Sequence, residues 1–317
     1  MPKQQEKFDQ AARAAWLYYV AGKTQNEVAD QLNVSRQVAQ RLVASAVERG
    51  LVKVTVHHPV AECLELAEAL RQRFGLAMCE VVPADGDSAA ELHRKLAVAG
   101  AAVFERYLDV EKPMVVELGS GRTLKAIIEE MAELVCPQHR LVSLIGTIAH
   151  DGSSNRYDVA LPASEKTQSR YFLLPAPLYA DSAEDRSMWC NHRLYRVVAE
   201  MGQKADVTFI GVGTIDEGCA LQADGFLDSA EIARLKSANA VAELIGRPIN
   251  EAGELVDSPI QQRITSLPLE RPPRRPVIAF AGGERKAAAI LAVLRGGWLT
   301  GLVTDEASAR YILGQAG

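Results

Sequence analysis

The cysteines of this chain are few and have no spacing that would give them a common role. Five are scattered over 317 residues, and no two form a Cys-x-x-Cys pair. A zinc ribbon or a disulfide framework is therefore not expected. His57 and His58 are adjacent, but nothing nearby completes a ligand set, so we expect no metal and no other cofactor.

Long apolar runs are also missing from the sequence. No run is long enough to span a bilayer, and the first residues lack the charged-then-apolar pattern of a secretory signal, so we expect a cytoplasmic protein. The patterns G-x-G-x-x-G and G-x-x-x-x-G-K-[ST] are absent, which disfavours dinucleotide binding and an NTP-driven machine. The length suits a small helical domain followed by one larger α/β domain.

Residues 24–44 have the pattern of two short helices joined by a tight turn. Thr24 and Ser35 can each cap a helix, because their side-chain oxygens accept hydrogen bonds from the first turn, and Asn33 supplies the turn between them. One face of the second helix is expected to pack inward: Val34, Val38, Leu42 and Ala46. Another face is mainly polar: Gln37, Gln40, Arg41 and Ala44. The pattern predicts a helix-turn-helix.

The polar face of the second helix suits the major groove of DNA. Arginine offers a forked donor to guanine and glutamine pairs with adenine, while hydroxyls and N–H groups at helix N-termini commonly hold phosphates. The residues expected to contact DNA are Thr24, Gln25, Ser35, Arg36, Gln37, Gln40 and Arg41. Residues 1–57 contain eight Lys and Arg against five acids, so their net charge is +3 and the rest of the chain carries −8. A basic N-terminal domain joined to an acidic second domain is typical of a transcriptional regulator rather than of a protein that coats DNA nonspecifically.

An apolar and aromatic segment precedes the two helices. Ala12, Trp16, Tyr19 and Val20 give this segment an amphipathic pattern that supports the helix-turn-helix interpretation. For the cluster of Trp16, Tyr18 and Tyr19, we favour packing or a head-to-head interface over base stacking, because aromatic residues in a first helix usually serve the core.

The second domain begins after a short strand-like segment. Residues 51–56 alternate in hydrophobicity and predict a wing, so we expect a winged helix-turn-helix domain over residues 1–57. An effector domain with surfaces for oligomerisation is expected over residues 58–317. Within it, Ser88 and Glu91 form a plausible capping box at the start of a helix that continues to about residue 108.

The body of the chain alternates short β-branched runs with helical runs. Strands are predicted at residues 78–82, 114–118, 141–145, 207–212, 277–281 and 299–303, and further helices at 123–135, 284–295 and 306–313. This alternation predicts an α/β fold with a mostly parallel, doubly wound sheet. Ligands of such sheets bind beyond the carboxyl ends of the strands.

Glycine-rich loops follow three of the predicted strands, at residues 117–123, 211–214 and 282–283. Glycine permits close backbone approach, and a helix N-terminus carries partial positive charge, so each loop can offer bare N–H groups to an anion or a hydroxyl-rich ligand. Any one of these loops is explained equally well as a tight turn. Three loops in one sheet, with Arg122 and Lys286 adding charge, favour a shared ligand pocket.

Six segments together identify a family: Ala14-Ala-Trp-Leu-Tyr-Tyr-Val20 with Thr24-Gln25, Gly119-Ser-Gly-Arg-Thr123, Pro175-Ala-Pro177, Gly211-Val-Gly213, Gly282-Gly-Glu-Arg-Lys286 and Leu302-Val-Thr-Asp-Glu306. Through them the chain resembles the SorC family of bacterial transcriptional regulators, sometimes grouped with deoxyribonucleoside regulators, over nearly its whole length. The resemblance implies an N-terminal helix-turn-helix and a C-terminal effector domain similar to sugar-phosphate isomerases and deaminases. It also implies a tetramer on palindromic operator DNA and an effector that is a sugar, a sugar phosphate or a polyol.

The resemblance also implies an effector pocket, for which the expected residues are Gly119, Ser120, Gly121, Arg122, Thr123, Gly213, Glu243, Gly283, Lys286 and Asp305. The loop at residues 240–246 departs from the family, which usually has glycine and aspartate where this chain has Ala242 and Glu243. The longer carboxylate still accepts hydrogen bonds from sugar hydroxyls but reaches to a different point. Asp305 is expected to line the pocket, but its carboxylate is explained nearly as well as one that compensates the partial positive charge at the N-terminus of the last helix.

Two other classes of protein stay open at this point. The first is an isomerase, deaminase or aldolase-like enzyme in which Lys286 forms a Schiff base, although Asp216, Glu217, Glu243 and Asp305 show no recognisable acid–base spacing. The second is a nonspecific nucleoid or scaffold protein, whose DNA affinity would depend on salt but hardly on sequence. Whether the effector carries a phosphate also stays open.

Overall fold

The computed structural model describes residues 2–49, 51–52, 59–84, 86–148 and 152–315. The chain forms two compact units, residues 1–58 and residues 59–317. Most of the wing predicted at residues 51–56 lies outside the described residues. Within the described ranges, no helix combines the length and the apolar character that a bilayer crossing requires.

The first unit is helical. Its elements are α1 (Pro2–Ala15), a π-helical turn (Trp16–Val20), α2 (Gln25–Leu32) and α3 (Arg36–Glu48). Thr24 and Glu27 form a capping box at α2, and the Ser35 hydroxyl accepts a hydrogen bond from the Val38 N–H at α3. Asn33 ends α2 in the left-handed conformation, with φ at 51°. The predicted helix-turn-helix, with both caps and its turn, is therefore confirmed.

The buried face of α3 matches the prediction at Ala46 and, as partly buried residues packed on the core, at Val34 and Leu42, but not at Val38. Ala39 and Ala46 are completely buried and Val43 nearly so, whereas the side chain of Val38 is 39% exposed. Ala46 shares a small core cluster with alanines of α1, and both α1 and α2 contact α3. Alanine side chains allow helices to approach closely, so Ala39 and Ala46 form much of the buried face of α3. The expectation that Val38 packs inward was wrong.

The packed face of α1 consists of alanines too. Ala11, Ala14 and Ala15 are buried, whereas Trp16 and Tyr19 are 58% and 41% exposed. Of the three aromatic residues, Tyr18 alone packs against the core of this unit, with the others lying outside the clusters found among the described residues. The packing explanation therefore holds for Tyr18. The Tyr19 ring contacts the Tyr18 ring edge-on, with 5.0 Å between the ring centres, but is itself partly exposed.

The second unit is an α/β domain. Its helices are α4 (Pro59–Phe74), α5 (Ala89–Leu108), α6 (Arg122–Glu130), α7 (Ala160–Thr167), α8 (Ala183–Asn191), α9 (Arg193–Gly202), α10 (Ala220–Ala223), α11 (Ser229–Ser237), α12 (Glu284–Arg295) and α13 (Glu306–Gln315), with a 3-10 turn at Pro259–Gln262. Its strands are β1 (Met78–Val82), β2 (Val115–Leu118), β3 (Arg140–Ile148), β4 (Arg170–Pro177), β5 (Val207–Gly211), β6 (Gly213–Thr214), β7 (Ala240–Leu244), β8 (Arg247–Asn250), β9 (Val277–Phe280) and β10 (Gly301–Asp305). Ser88 and Glu91 cap α5 as predicted.

Seven strands form one parallel sheet in the order β1-β10-β9-β5-β2-β3-β4. Successive side chains of a strand point to opposite faces, and both faces are covered. In β5, Phe209 packs in one core cluster with Phe104 of α5, and Ile210 packs in another with Ile290 of α12. The predicted doubly wound α/β sheet is confirmed.

Several predicted element boundaries were wrong, among them the end of β3, which continues to Ile148 instead of ending at residue 145. The helix expected at residues 123–135 ends at Glu130, because Met131 has an extended backbone and the N–H of Leu134 donates to the Lys166 carbonyl instead. The strand expected at residues 299–303 begins at Gly301 and ends at Asp305. Apolar residues continue past the end of the helix and precede the strand, so hydrophobic pattern alone misplaced both limits.

A small antiparallel sheet of β6, β7 and β8 stands beside the main sheet. Its pairing places Gly213 opposite Glu243. The segment expected as a loop at residues 240–246 is therefore a strand, β7, followed by a turn in which Ile245 and Gly246 both have positive φ.

Candidate functional site

A cavity of about 930 Å³ lies at the carboxyl ends of the parallel strands of the second unit. All ten residues that sequence analysis assigned to an effector pocket line it: Gly119, Ser120, Gly121, Arg122, Thr123, Gly213, Glu243, Gly283, Lys286 and Asp305. They come from the loops after β2 and β9 with the first turns of α6 and α12 that follow them, from β6 and β7, and from the end of β10. Parallel strands bring their carboxyl ends to one edge of a sheet, which explains why these distant segments meet.

The glycine N–H groups at this edge are already used by the protein. Gly121 donates to the Tyr157 carbonyl at 3.2 Å, and Gly283 donates to Oδ2 of Asp305 at 2.7 Å. Gly119 donates to the Phe209 carbonyl at 2.8 Å. In these loops, any bare N–H group offered to a ligand must therefore come from residues other than these three glycines.

The first turns of α6 and α12 do open on the cavity. Their N-caps are Gly121 and Gly283, which have φ of 125° and 97° and supply no side-chain acceptor. Glycine tolerates such φ values, whereas side chains rarely do. The polar groups left for a ligand at α6 belong to Ser120, Arg122 and Thr123, which follow one another along the cavity wall.

Arg122 is held at the wall by two neighbours. Its guanidinium lies 5.5 Å from the ring centre of Tyr157 and 3.7 Å from a carboxylate oxygen of Asp224. Hydrogen bonding to Tyr157 and the negative charge of Asp224 raise the pKa of Arg122. The side chain is 53% exposed, so it can reach a ligand at the cost of a weak contact with Asp224.

Glu243 lies on β7 and points into the cavity. Its Oε2 accepts a hydrogen bond from the Gly246 N–H at 2.7 Å. Burial raises the pKa of Glu243, an effect that the Gly246 N–H and the positive charge of Lys286 partly offset. The turn after β7 is also fixed by a second hydrogen bond, which the buried Tyr179 hydroxyl donates to the Gly246 carbonyl at 2.7 Å.

Lys286 lies one turn into α12 and faces the same space. Burial lowers the pKa of Lys286, the charge of Glu243 raises it, and the charge of Arg122 lowers it. Among the described residues none accepts a hydrogen bond from its amine. The pair of Glu243 and Lys286 therefore presents an acceptor and a donor to a ligand.

Asp305 is completely buried and acts within the protein. Its Oδ2 accepts from the Gly283 N–H at 2.7 Å and from the Ser308 hydroxyl at 2.6 Å, and its Oδ1 accepts from the Ser308 N–H at 3.0 Å. These bonds join the loop before α12 to the start of α13. Asp305 thus positions the wall that carries Lys286 while also capping a helix.

Sequence analysis missed much of the lining. The missed polar residues include Asp87, His93, Asn155, Tyr157, Asp224 and Arg285, and the missed apolar residues include Leu92, Leu96, Ile145, Leu178, Leu221 and Phe226. Most come from helices and loops without a recognisable motif. Their place depends on how distant segments pack, so no local signal marks them. No group of three or more metal-binding side chains occurs within the ranges that the structure describes.

The residues expected to contact DNA lie on the first unit. Arg36, Gln37, Gln40 and Arg41 are exposed on α3. The Thr24 hydroxyl already accepts from the Glu27 N–H and donates to its carboxylate, so Thr24 acts as a cap. Ser35 and Gln25 stand at the starts of α3 and α2, with Ser35 exposed and Gln25 half-buried.

Comparisons with known proteins agree with this architecture. Residues 58–314 match the family model described as "Putative sugar-binding domain", and residues 11–59 match the MarR family model. The erythritol catabolism regulatory protein EryD of Brucella abortus is 35% identical over 305 residues, which cover 96% of each chain. The transcriptional regulator LsrR of Enterobacter sp. is 30% identical over 312 residues, covering 96% of this chain and 93% of its own.

Solved structures share the fold. The full-length sorbitol operon regulator SorC of Klebsiella pneumoniae superposes with a TM-score of 0.72 at 24% identity, covering 96% of this chain and 97% of its own. A DeoR family transcriptional regulator of Listeria monocytogenes superposes with a TM-score of 0.71 at 22% identity, covering 79% of this chain and 99% of its own.

Proposed function

The chain belongs to the SorC family of sugar-responsive transcriptional regulators, and from that premise we propose that it binds operator DNA through α3 and adjusts this binding to a polyol or sugar in its cavity. Its relatives are named as transcriptional regulators, and the chain is likewise a regulator and not an isomerase or deaminase. The observation that most supports the proposal is that ten residues from five separate segments meet in one cavity of a chain that also contains a helix-turn-helix.

The reading surface is the exposed face of α3. Arg41 and Gln40 contact base edges in the major groove, with Gln37 one turn earlier and Arg36 at the edge of the groove. The Ser35 hydroxyl and the backbone at Gln25 contact phosphates at the helix N-termini. Thr24 contributes by holding α2 in place, since its own hydroxyl is occupied by Glu27.

The effector binds across the strand-end loops of the second unit. Glu243 accepts hydrogen bonds from hydroxyl groups of the ligand, and Lys286 donates to its oxygens. Ser120, Arg122 and Thr123 contact it from the start of α6, and Asp305 keeps the opposite wall in place. A relative named for erythritol catabolism supports a small polyhydroxy compound as the ligand class.

Coupling between effector and DNA runs through the quaternary arrangement of a homotetramer in the cytoplasm. A ligand shifts an equilibrium only when it binds one arrangement better, and such couplings are typically worth about 1–3 kcal/mol. Because the distance between two head domains sets the spacing of DNA half-sites, a small rotation between subunits lowers operator affinity without any contact between ligand and DNA.

The DNA-binding half of the proposal is tested by Arg41→Ala. Fluorescence anisotropy with the upstream region of the chain's own operon should show operator binding weakened by about 1–3 kcal/mol, which is the range for a lost contact to a base. Arg234→Ala removes the same charge from an exposed position in the second unit and should leave operator affinity unchanged. Equal operator affinity of the Arg41 variant and the unsubstituted chain would refute α3 as the reading helix.

A further inference from the structure

The lining of the cavity carries more negative than positive charge. Its carboxylates are Asp87, Asp224, Glu243, Glu284 and Asp305, and its basic side chains are Arg122, Arg285 and Lys286. The five carboxylates and three basic groups of the Asp, Glu, Arg and Lys side chains give a formal balance of −2. The partners just outside the lining, Lys95 beside Asp87 and Asp216 beside Arg285, cancel each other and leave this balance unchanged.

The two arginines of the lining already have acidic partners. Arg122 lies 3.7 Å from a carboxylate oxygen of Asp224, and Arg285 lies 3.1 Å from one of Asp216. Lys286 has no hydrogen-bond acceptor among the described residues, but its charge interacts with that of Glu243. An incoming anion would compete with a carboxylate at each of the three basic groups.

The positive end of α12 is compensated as well. The buried carboxylate of Asp305 accepts the Gly283 N–H, which is the position that a bound phosphate oxygen would take at a helix N-terminus. Glu284 adds a second carboxylate in the first turn of the same helix. At α6, the N–H of Gly121 donates to the Tyr157 carbonyl. At both helix ends the N-cap N–H is therefore already used within the protein, and at α12 two carboxylates also compensate the positive charge of the helix end.

Hydroxyl groups suit the same surroundings. A hydroxyl donates to a carboxylate and accepts from an ammonium or an N–H group, so it can bind between Glu243 and Lys286 without breaking an ion pair. A phosphate would bring like charge toward the carboxylates in a partly enclosed space, where repulsion is stronger than in water. Leu92, Leu178 and Phe226 on the wall offer apolar surface to the carbon skeleton.

We infer that the effector of this chain is an uncharged polyol or sugar and that the cavity discriminates against its phosphate ester. This inference rests on the proposed function, because it concerns the ligand of the same cavity. It answers a question that the sequence left open, namely whether the effector carries a phosphate group.

The test compares straight-chain polyols of four to six carbons, namely erythritol, xylitol and sorbitol, each with its terminal phosphate ester. Isothermal titration calorimetry on the full chain should show at least one polyol binding about tenfold or more tighter than its own ester, as like-charge repulsion requires. An ester that binds as tightly as its parent polyol, or tighter, overturns the inference. So does the absence of binding by every compound in the panel.

Operator binding, measured in parallel, separates this inference from the proposed function. A chain that prefers polyols but ignores its operator keeps the inference and refutes the regulatory function. A chain that binds its operator and responds only to phosphate esters keeps the function and refutes the inference.

A charge variant tests whether the negative charge of the lining causes the preference for an uncharged ligand. Asp224→Asn removes one carboxylate and releases Arg122, so it should improve binding of the phosphate ester several-fold and narrow the preference for the polyol. Glu133→Gln removes the same charge from an exposed position outside the cavity lining and should leave the ratio of the two affinities unchanged. An unchanged ratio in the Asp224 variant would show that lining charge does not set the preference.

Discussion

Replacement of Gly213 by alanine is expected to disable the effector site without harming the DNA-binding unit. Gly213 pairs with Glu243 across β6 and β7, and an added Cβ would lie 2.7 Å from both Cγ and Cδ of Glu243. Real Cβ atoms essentially never lie within 3.0 Å of a nonbonded heavy atom, so the Glu243 side chain must move. Gly213 does not have a positive φ, so alanine adds no backbone strain of its own.

The size of the effect follows from the bond that Glu243 would lose. Its carboxylate accepts the Gly246 N–H at 2.7 Å, and a hydrogen bond to a charged group is worth about 1.5–3 kcal/mol. We therefore expect the free energy of unfolding of the second unit to fall by roughly that amount. Displacement of the carboxylate should also weaken polyol binding by about tenfold to a hundredfold, since every 1.4 kcal/mol corresponds to about a factor of ten.

A double-mutant cycle with Glu243→Ala isolates this contact. The three nearest atoms to a Cβ at position 213 all belong to Glu243, so in the alanine background Gly213→Ala should cost little. Urea denaturation gives the stabilities and calorimetry gives the polyol affinities, while operator binding serves as the control for the first unit. A coupling free energy below about 0.5 kcal/mol would mean that the two sites are independent and would refute the proposed steric cause.

Three further predictions concern stability and pH. Burial raises the pKa of Glu117 from 4.5 to about 7, so the folded state favours its neutral acid form. The stabilising contribution of Glu117 should be complete below about pH 4.5 and decline by up to roughly 3 kcal/mol as the pH rises through 7. Glu117→Gln should remove this component of the pH dependence in urea titrations at several pH values. Tyr179→Phe deletes the buried donor to the Gly246 carbonyl and should cost about 1–3 kcal/mol of unfolding free energy together with part of the polyol affinity; unchanged affinity would show that this bond does not position the turn. Ser35→Ala removes the acceptor for the Val38 N–H and should destabilise the first unit by about 1 kcal/mol in thermal melts, with Ser35→Thr as a control that retains a cap.

Features that depend on neighbouring residues could be predicted from the sequence. Thr24, Ser35 and Ser88 cap helices as expected, and α12 begins and ends where its pattern indicated. Capping depends on a side chain reaching an N–H group a few residues away, so the necessary information is local. The alternation of β-branched and helical runs likewise predicted the parallel sheet, and with it the edge at which the cavity lies.

Charge partners and buried faces could not be predicted in the same way. Asp224 lies beside Arg122 although about a hundred residues separate them in the chain. Asp305, at the end of β10, accepts a hydrogen bond from the N–H of Gly283, which follows β9. Neither contact leaves a local signal, because each exists only once distant segments have packed together.

The sequence by itself determined where the capped helices α2, α3 and α5 start, that the main sheet is parallel and which glycine loops surround the cavity, since these follow from short-range hydrogen bonding and side-chain period. Tertiary structure alone decided that alanines rather than Val38 form the inner face of α3, and that several loop N–H groups are used internally. It also decided that carboxylates outnumber basic groups around the cavity. The physical reason is that helix approach and local electrostatic balance depend on residues that are close in space and far apart in the chain.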